Sequence, residues 1–433
     1  MNLPGNTHKK YILFGPAYGI GGWQLYINAR CKHLIENKID SCLIYPPDTG
    51  GDKIKLDYIA KMKRVSLEQI EPYWYRKKQI SNTIMALLDA IEYRNGDEVF
   101  IESTCIIYSF WGELIAEATR GQNFCYLLHS HTKGFPVAWQ KFFSFKYDQG
   151  LIAGQTEITL PDLFEGFRKI KGGNRAIYAQ WEDPICDERE DCAEYMNLLR
   201  RHKEQGYKII GYFGVLRKPH FMLLCDFMVH YSKRYAEHKF LFVAIGSSGE
   251  SDPEQKLYEI PEESDNCEVY NIPEMYPIPR GIFQMLDICL ASWGSSVHAA
   301  TACERTIRIY DDVHLIPQGV IGINLHEPYH MQPPVNDNLD SLFDEILFGA
   351  NYKGITYVLP EHVTMSSGGH SVIDSKMQPF VERDDGKIYY DIHSIPFNGG
   401  ISKAKYISYK ILGVPFTRSL IRMALRIKTK IAG

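Results

Sequence analysis

Short apolar runs punctuate the first 180 residues. YILFG (11–15), SCLIYP (41–46), EVFIES (98–103), FCYLLHS (124–130), GLIAGQ (150–155) and RAIYAQ (175–180) are continuous rather than alternating. Strands buried on both faces of a parallel sheet read this way. Helix-length segments such as 79–93 lie between the runs. A strand–helix series of this kind predicts an α/β, doubly wound sheet.

The pattern breaks at 181–206, a charged stretch that reads as a linker running into a helix. A second series follows it, with KIIGYFG (208–214), KFLFVAIG (239–246), EVYNIP (268–273), ICLASWG (288–294) and TIRIYD (306–311). The expectation is two Rossmann-like domains, 1–190 and 191–395, facing one cleft. Residues 325–400 are rich in Pro, Gly, Asp and His and read as loops and short helices.

Composition narrows the class. The chain has 433 residues, 45% of them apolar, enough for two packed cores. A charged fraction of 23% and a net charge of −4 argue against nucleic-acid binding. The ten cysteines include no CxxC pair, so they read as reduced core thiols of a cytosolic protein rather than zinc ligands. The opening MNLPGNTHKK is polar and does not read as a signal peptide. No segment reaches the roughly 20 apolar residues of a membrane span.

Residues 396–433 form a basic tail. Eight of the 48 Lys/Arg lie after residue 391, with none of the 52 Asp/Glu. Arg418, Arg422, Arg426 and Lys430 recur at i, i+4 and form one stripe of an amphipathic helix, with Leu420, Ile421, Ala424, Ile427 and Ile431 on the other side. Two partners suit it: the acidic body of the protein, or an anionic membrane.

Gly19, Gly21 and Gly22 follow the first apolar run and precede a helix that carries Trp23, Tyr26, Ile27, Cys31, Leu34 and Ile35 on one face. Backbone N–H groups at such a turn are free to meet a ligand. A nicotinamide fingerprint needs a third glycine where this chain has Gln24, and an acid roughly 20 residues on. Asp48 lies too far downstream and follows two prolines, so that cofactor is set aside.

With these residues in view, FGPAYGIGGWQLYINARCKHLIENKIDSCLIYP resembles the opening of GT-B glycosyltransferases, especially glycosyltransferase family 4. IIGYFGVLRKPHFMLLCDFM (209–228) is similar to the first strand and loop of that family's C-terminal domain, and LDICLASWGSSVHAATACERTIRIYD (286–311) to its donor-site segment. The resemblance implies a GT-B fold and transfer of a sugar from a nucleotide-diphosphate donor, without a bound metal or other cofactor. It implies that the donor diphosphate meets Gly21, Gly22, Gly214, Arg217, Lys218, Ser292, Gly294, Ser295 and Ser296. The family's arginine falls on Val215, and its pair of glutamates is absent, with His298 near the second. Two roles fit His298: a bond to a ribose hydroxyl or a phosphate, and packing on Trp293.

The resemblance also implies that His129, with His131 as runner-up, reaches the transferred sugar. Two histidines at i, i+2 without a third ligand do not make a metal site, and Asp311-Asp312 reads as a turn cap. Glu102, at the end of its apolar run, is the candidate general base of an inverting reaction. Trp74, Trp111 and Trp139 lie in the half that holds the acceptor, where sugar stacking competes with core packing; Trp111 and Trp139 are the acceptor-side candidates.

The leading expectation is a cytoplasmic glycosyltransferase acting on a lipid-linked glycan in bacterial surface polysaccharide biosynthesis. The tail would hold it on the inner face of the cytoplasmic membrane. The alternatives are a GT-B-like nucleotide-sugar epimerase or pyruvyl-type transferase, and a carbohydrate-binding protein without catalysis.

Overall fold

The computed structural model describes residues 8–47, 54, 56–128, 135–156, 158–171, 175–177, 185–246, 251–310, 313, 315–326, 338–349, 389–395, 407–409, 411–413 and 416–417. The chain divides into two compact units, Met1–Gln180 with Ser367–Gly433, and Trp181–Ser366.

The first unit holds the strands β1 (Lys9–Phe14), β2 (Asp40–Tyr45), β3 (Lys63–Ser66), β4 (Glu98–Ser103), β5 (Gln122–Leu127) and β6 (Ile152–Gly154). They pair in parallel, in the order β3-β2-β1-β4-β5-β6. The helices are α1 (Gly22–Glu36), α2 (Asp57–Lys61), α3 (Lys77–Ala90), α4 (Ile106–Thr119), α5 (Val137–Asp148) and α6 (Thr159–Leu163). The strand order reverses between β1 and β4. The loops leaving their carboxyl ends therefore diverge to opposite faces and open a crevice, the place where α/β sheets take ligands. Five of the six apolar runs read in this half form strands. In the sixth, Ala176 makes a single bridge to Gly154, and residues 178–180 lie outside the described residues.

The core of this unit includes Phe14, Ile101, Trp111, Phe142, Ile392 and Ile395. The last two come from the far end of the chain. Their segment is fastened by Tyr390 N–H donating to Glu113 Oε1 at 3.0 Å and Tyr389 OH donating to the Gly121 carbonyl at 3.0 Å. Glu113 is itself buried and paired with the buried Lys146 at 2.9 Å, and Asn123 Nδ2 donates to it at 3.1 Å. A buried ion pair is tolerable when further hydrogen bonds satisfy it, and the returning backbone supplies one.

The second unit begins with β7 (Ile185–Cys186) and α7 (Ala193–Glu204), inside the stretch read as a linker running into a helix. Its main sheet holds β8 (Lys208–Phe213), β9 (Phe240–Ile245), β10 (Cys267–Ile272), β12 (Ile288–Ser292), β13 (Thr306–Ile309) and β14 (Pro317–Val320); the short β11 (Ile278–Pro279) pairs with β7. The order is β10-β9-β8-β12-β13-β14, parallel except for the antiparallel edge strand β14. The helices are α8 (Pro219–Arg234), α9 (Ser251–Glu263), α10 (Arg280–Met285), α11 (Trp293–Ala300) and α12 (Leu339–Leu347). Here the order reverses between β8 and β12, so the ligand crevice of this unit is framed by the loops after those two strands.

Candidate functional site

β8 is followed at once by Gly214, whose φ is +156°, and its neighbour β9 by Gly246, at φ +151°. A Cβ on Gly246 would come within 2.1 Å of the Gly214 carbonyl oxygen. Glycine at both strand ends is what lets the chain after β8 turn across the sheet edge. The turn then runs Val215–Lys218 into α8, with Pro219 at the first helical position and Lys218 as the N-cap residue. On the other side of the switch point β12 ends in Ser292, the N-cap residue of α11.

Lys218 Nζ donates to Ser292 Oγ at 2.9 Å. One contact thus joins the caps of two helices that start at the same crevice. Neither side chain caps its own helix, and neither first turn contains an acid. The leading N–H groups of a helix have no partner within the helix and carry partial positive charge. Ser292 and Ser296 are buried, and Gly294 and Ser295 are half-buried. A side chain built at Gly294 would meet nothing within 4 Å, so the space beside its backbone is open. Arg217 is exposed on the same turn as Lys218. Together these residues form a cationic, amide-lined corner suited to a diphosphate.

His298 lies on α11, six residues past the cap. Burial lowers its pKa from 6.5 to about 4, so at neutral pH the ring is uncharged. A neutral imidazole exchanges hydrogen bonds with hydroxyls but adds no charge toward a phosphate. The side chain of Trp293 lies outside the described residues, as do Asp311 and Asp312.

The glycine turn of the first unit sits at that unit's own switch point. Gly19 has φ +78°, Gly21 is the N-cap of α1 in an extended conformation, and Gly22 opens the helix and is exposed. Gln24 Nε2 closes the turn onto the Tyr18 carbonyl at 2.8 Å. Trp23 Nε1 donates to Thr104 Oγ1 at 2.8 Å, tying the turn to the loop after β4. A further glycine, Gly15, matters for packing: a Cβ there would lie 2.2 Å from Ile27 Cδ1. The first turn of α1 also lacks acids.

Several residues singled out in the sequence have other roles. Glu102 is not a general base. It is 0% exposed and receives hydrogen bonds from the hydroxyls of Tyr11 and Tyr26 and from Arg30 Nε, the last at 3.0 Å. Arg30 is also 0% exposed, and its Nη2 donates to Tyr11 OH at 2.6 Å. A carboxylate so enclosed has no route to a substrate hydroxyl. Burial, with Glu102 beside it, raises the Tyr26 pKa well above its usual value, so this hydroxyl stays protonated and donating. Trp111 is no sugar platform: it is buried in the core and its Nε1 donates to the Ile70 carbonyl at 2.7 Å. Trp139 is half-buried, with one side packed on the core against Phe110 at 5.5 Å between ring centroids and Nε1 donating to Tyr73 OH at 3.1 Å. Trp74 is buried against Tyr409. His129, His131, Arg418, Arg422, Arg426 and Lys430 lie outside the described residues.

The pairing of Arg30 with Glu102 escaped the sequence reading. The signal was there: an arginine four residues after Tyr26, on the apolar face of a helix, and a glutamate within an apolar strand. Among the described residues no cluster of His, Cys, Asp and Glu is arranged to hold a metal. Among them, too, no helix is long and apolar enough to cross a membrane. A cavity of about 590 Å³ lined by Lys208, Arg280, Asp287 and Arg305 opens at the amino end of β8, away from the Lys218–Ser292 corner.

Two doubly wound sheets on separate units of one chain, each with a helix N-terminus at its switch point, make this an α/β protein of the GT-B fold. Among solved structures, a glycosyltransferase from Rickettsia africae superposes with a TM-score of 0.53 at 13% identity, over 86% of this chain and 94% of that one. HepE from Anabaena, solved with UDP-glucose, superposes at 0.48 and 10% identity, over 86% and 96%. The UDP-GlcNAc 2-epimerase of Neisseria meningitidis, solved with UDP-GlcNAc, gives 0.48 and 13%, over 85% and 99%. At these identities the likeness to the Rickettsia protein is one of fold. No family model and no curated sequence matches the chain.

Proposed function

We propose that the protein is a glycosyltransferase of the family 4 type that takes its sugar from a nucleoside-diphosphate donor held by the second unit. The observation that supports this is the Lys218–Ser292 contact, which brings two acid-free helix N-termini and a lysine to one switch point. In the reaction an acceptor hydroxyl oxygen bonds to the anomeric carbon as the bond from that carbon to the diphosphate oxygen breaks. The nucleoside diphosphate leaves with the electron pair, and the acceptor proton passes to base or solvent. Lys218, Arg217 and the amides of Gly214, Gly294, Ser295 and Ser296 stabilise the charge that grows on the leaving diphosphate. In this reading the cations and amides take the part a metal would otherwise play. His298, neutral, hydrogen-bonds a hydroxyl of the donor. His129, with His131 beside it, contacts the transferred sugar, and Gly21 and Gly22 offer amides from the first unit. The acceptor is a lipid-linked glycan of a bacterial surface polysaccharide. The basic tail holds the enzyme to the anionic inner face of the cytoplasmic membrane through Arg418, Arg422, Arg426 and Lys430.

A melting-temperature screen over UDP-, GDP-, dTDP- and CMP-sugars tests the donor reading, because a ligand of the native state raises the melting point by mass action. The expected result is a rise with one of the diphosphate sugars and none with the monophosphate-linked CMP-sugar. Equal response to all four, or to none, would overturn it. Conversion of the bound sugar nucleotide without any acceptor would instead identify an epimerase.

A further inference from the structure

Residues 407–409 and 411–412 are helical, and the turns continue with Gly413 N–H donating to the Tyr409 carbonyl and Thr417 N–H to the Gly413 carbonyl, each at 3.1 Å. The orientation of this segment is inverted relative to an ordinary surface helix, which buries its large apolar side chains. Tyr409, Gly413 and Thr417 share the inner stripe. Tyr409 is buried against Trp74, Thr417 is buried, and a Cβ at Gly413 would lie 3.8 Å from Gln79 Nε2. The large aliphatic and aromatic side chains point the other way: Ile407, Ile411, Leu412 and Phe416 are 48%, 65%, 45% and 56% exposed.

Cations flank this face. Arg76 Nη2 donates to the Ile411 carbonyl at 3.0 Å, and Arg76, Lys77 and Lys78 are all exposed at the start of α3. In sequence, the eight Lys/Arg after residue 391 have no Asp or Glu among them. Glu71, bonded to Trp74 Nε1 at 2.9 Å, is the acid that faces Tyr409. An apolar strip rimmed by cations is the chemistry of a surface that lies in the headgroup layer of an anionic bilayer. A second copy of the chain fits less well. A twofold interface would set one copy's cations against the same patch on the other.

We infer that the body of the first unit, and not the tail alone, meets the membrane: Ile407, Ile411, Leu412 and Phe416 enter the interface while Arg76, Lys77 and Lys78 hold anionic headgroups. This rests on the membrane reading proposed for the tail, and assigns that contact a surface. The test uses the full chain in sedimentation with vesicles of phosphatidylcholine alone or mixed with phosphatidylglycerol. Three variants accompany the wild type: Ile411→Ser with Phe416→Ser, Lys77→Glu with Lys78→Glu, and a tail variant with Arg418, Arg422, Arg426 and Lys430 changed to Ser.

The wild type is expected to pellet with the anionic vesicles only. The apolar pair should weaken that partition about tenfold or more, and the Lys77/Lys78 pair should weaken it as well. Both keep the melting profile and the nucleotide-sugar melting shift of the wild type. Undiminished pelleting of the apolar pair overturns the inference. If the tail variant alone loses binding, the membrane reading stands and this surface falls. A wild type that pellets with neither vesicle ends both. Light scattering that shows a wild-type dimer dissociated by the apolar pair, with vesicle binding unchanged, assigns the face to a second copy instead. Vesicle binding by the wild type that the apolar pair loses, alongside an absent nucleotide-sugar shift in the wild type, would retain the surface and reject the nucleotide-sugar donor.

Discussion

Lys218→Met tests the diphosphate corner most directly. Methionine is unbranched and of similar reach, so the change removes the charge and leaves most of the volume. The fold has little reason to suffer. Lys218 makes no capping bond to α8, which keeps Pro219 at its first position, and the substitution removes the 2.9 Å hydrogen bond to Ser292. A bond of that kind is worth about 1 kcal/mol. A charge-assisted contact to a phosphate contributes about 1.5–3 kcal/mol. At about 1.4 kcal/mol per tenfold, its loss weakens binding roughly 10- to 150-fold. The assay is calorimetric titration of the donor nucleotide as nucleoside, monophosphate and diphosphate. Nucleoside affinity should be unchanged, and the whole loss should fall on the diphosphate. Added salt should weaken diphosphate binding more steeply in the wild type than in the variant, because screening acts on the charge the variant lacks. An equal loss across the three ligands, or none, would refute the placement of Lys218 against the diphosphate.

Other changes probe the neighbouring structure. Glu102→Gln leaves the buried Arg30 without its carboxylate and should cost about 3–5 kcal/mol in urea unfolding. Its turnover per folded molecule should match the wild type, which a catalytic base would not allow. Gly15→Ala should cost about 1–3 kcal/mol by overpacking against Ile27, and Ile27→Val in the same chain should recover part of that loss, read as melting temperature. His298 has a pKa lowered from 6.5 to about 4, so between those values the unfolded chain takes up a proton that the folded chain refuses. Stability should therefore fall as pH drops from about 6.5 toward 4, and His298→Gln should flatten that slope in melting scans; an unchanged slope would contradict the lowered pKa.

Central strands were legible because they are buried on both faces and therefore apolar throughout. The sheet edges were not. β3 is KRVS, two of its four residues charged, and β14 is PQGV and runs antiparallel. Neither carries a run long enough to stand out. α12 was readable in retrospect. Asn338 accepts from Ser341 N–H at 3.0 Å and caps it, and Leu339, Leu342 and Phe343 fall at i, i+3, i+4. The surrounding prolines and glycines hid that spacing. At the site, the glycine turns could be found from local composition. The Lys218–Ser292 contact could not, because it joins loops 74 residues apart and exists through the order of β8 and β12 in the sheet. Glu102 misled for a related reason. Its place near a strand end suggested a cleft, while the partner that claims it lies one helix away in Arg30.

The fastening of Tyr389, Tyr390 and Ile392 onto α4 and the turn between α4 and β5 bears on how the protein is made. Synthesis delivers the six strands of the first sheet early. Tyr390, which satisfies Glu113 and fills the gap around Phe142, arrives 277 positions after Glu113. At ribosomal speed that is a wait of roughly 15–55 s. During that interval the amino-terminal half carries an unsealed seam, while the inserted second unit, Trp181–Ser366, is being synthesised and is completed before the seam can close. The protein thus finishes its middle before its beginning, and a chaperone that binds the nascent chain would find its target in the older half.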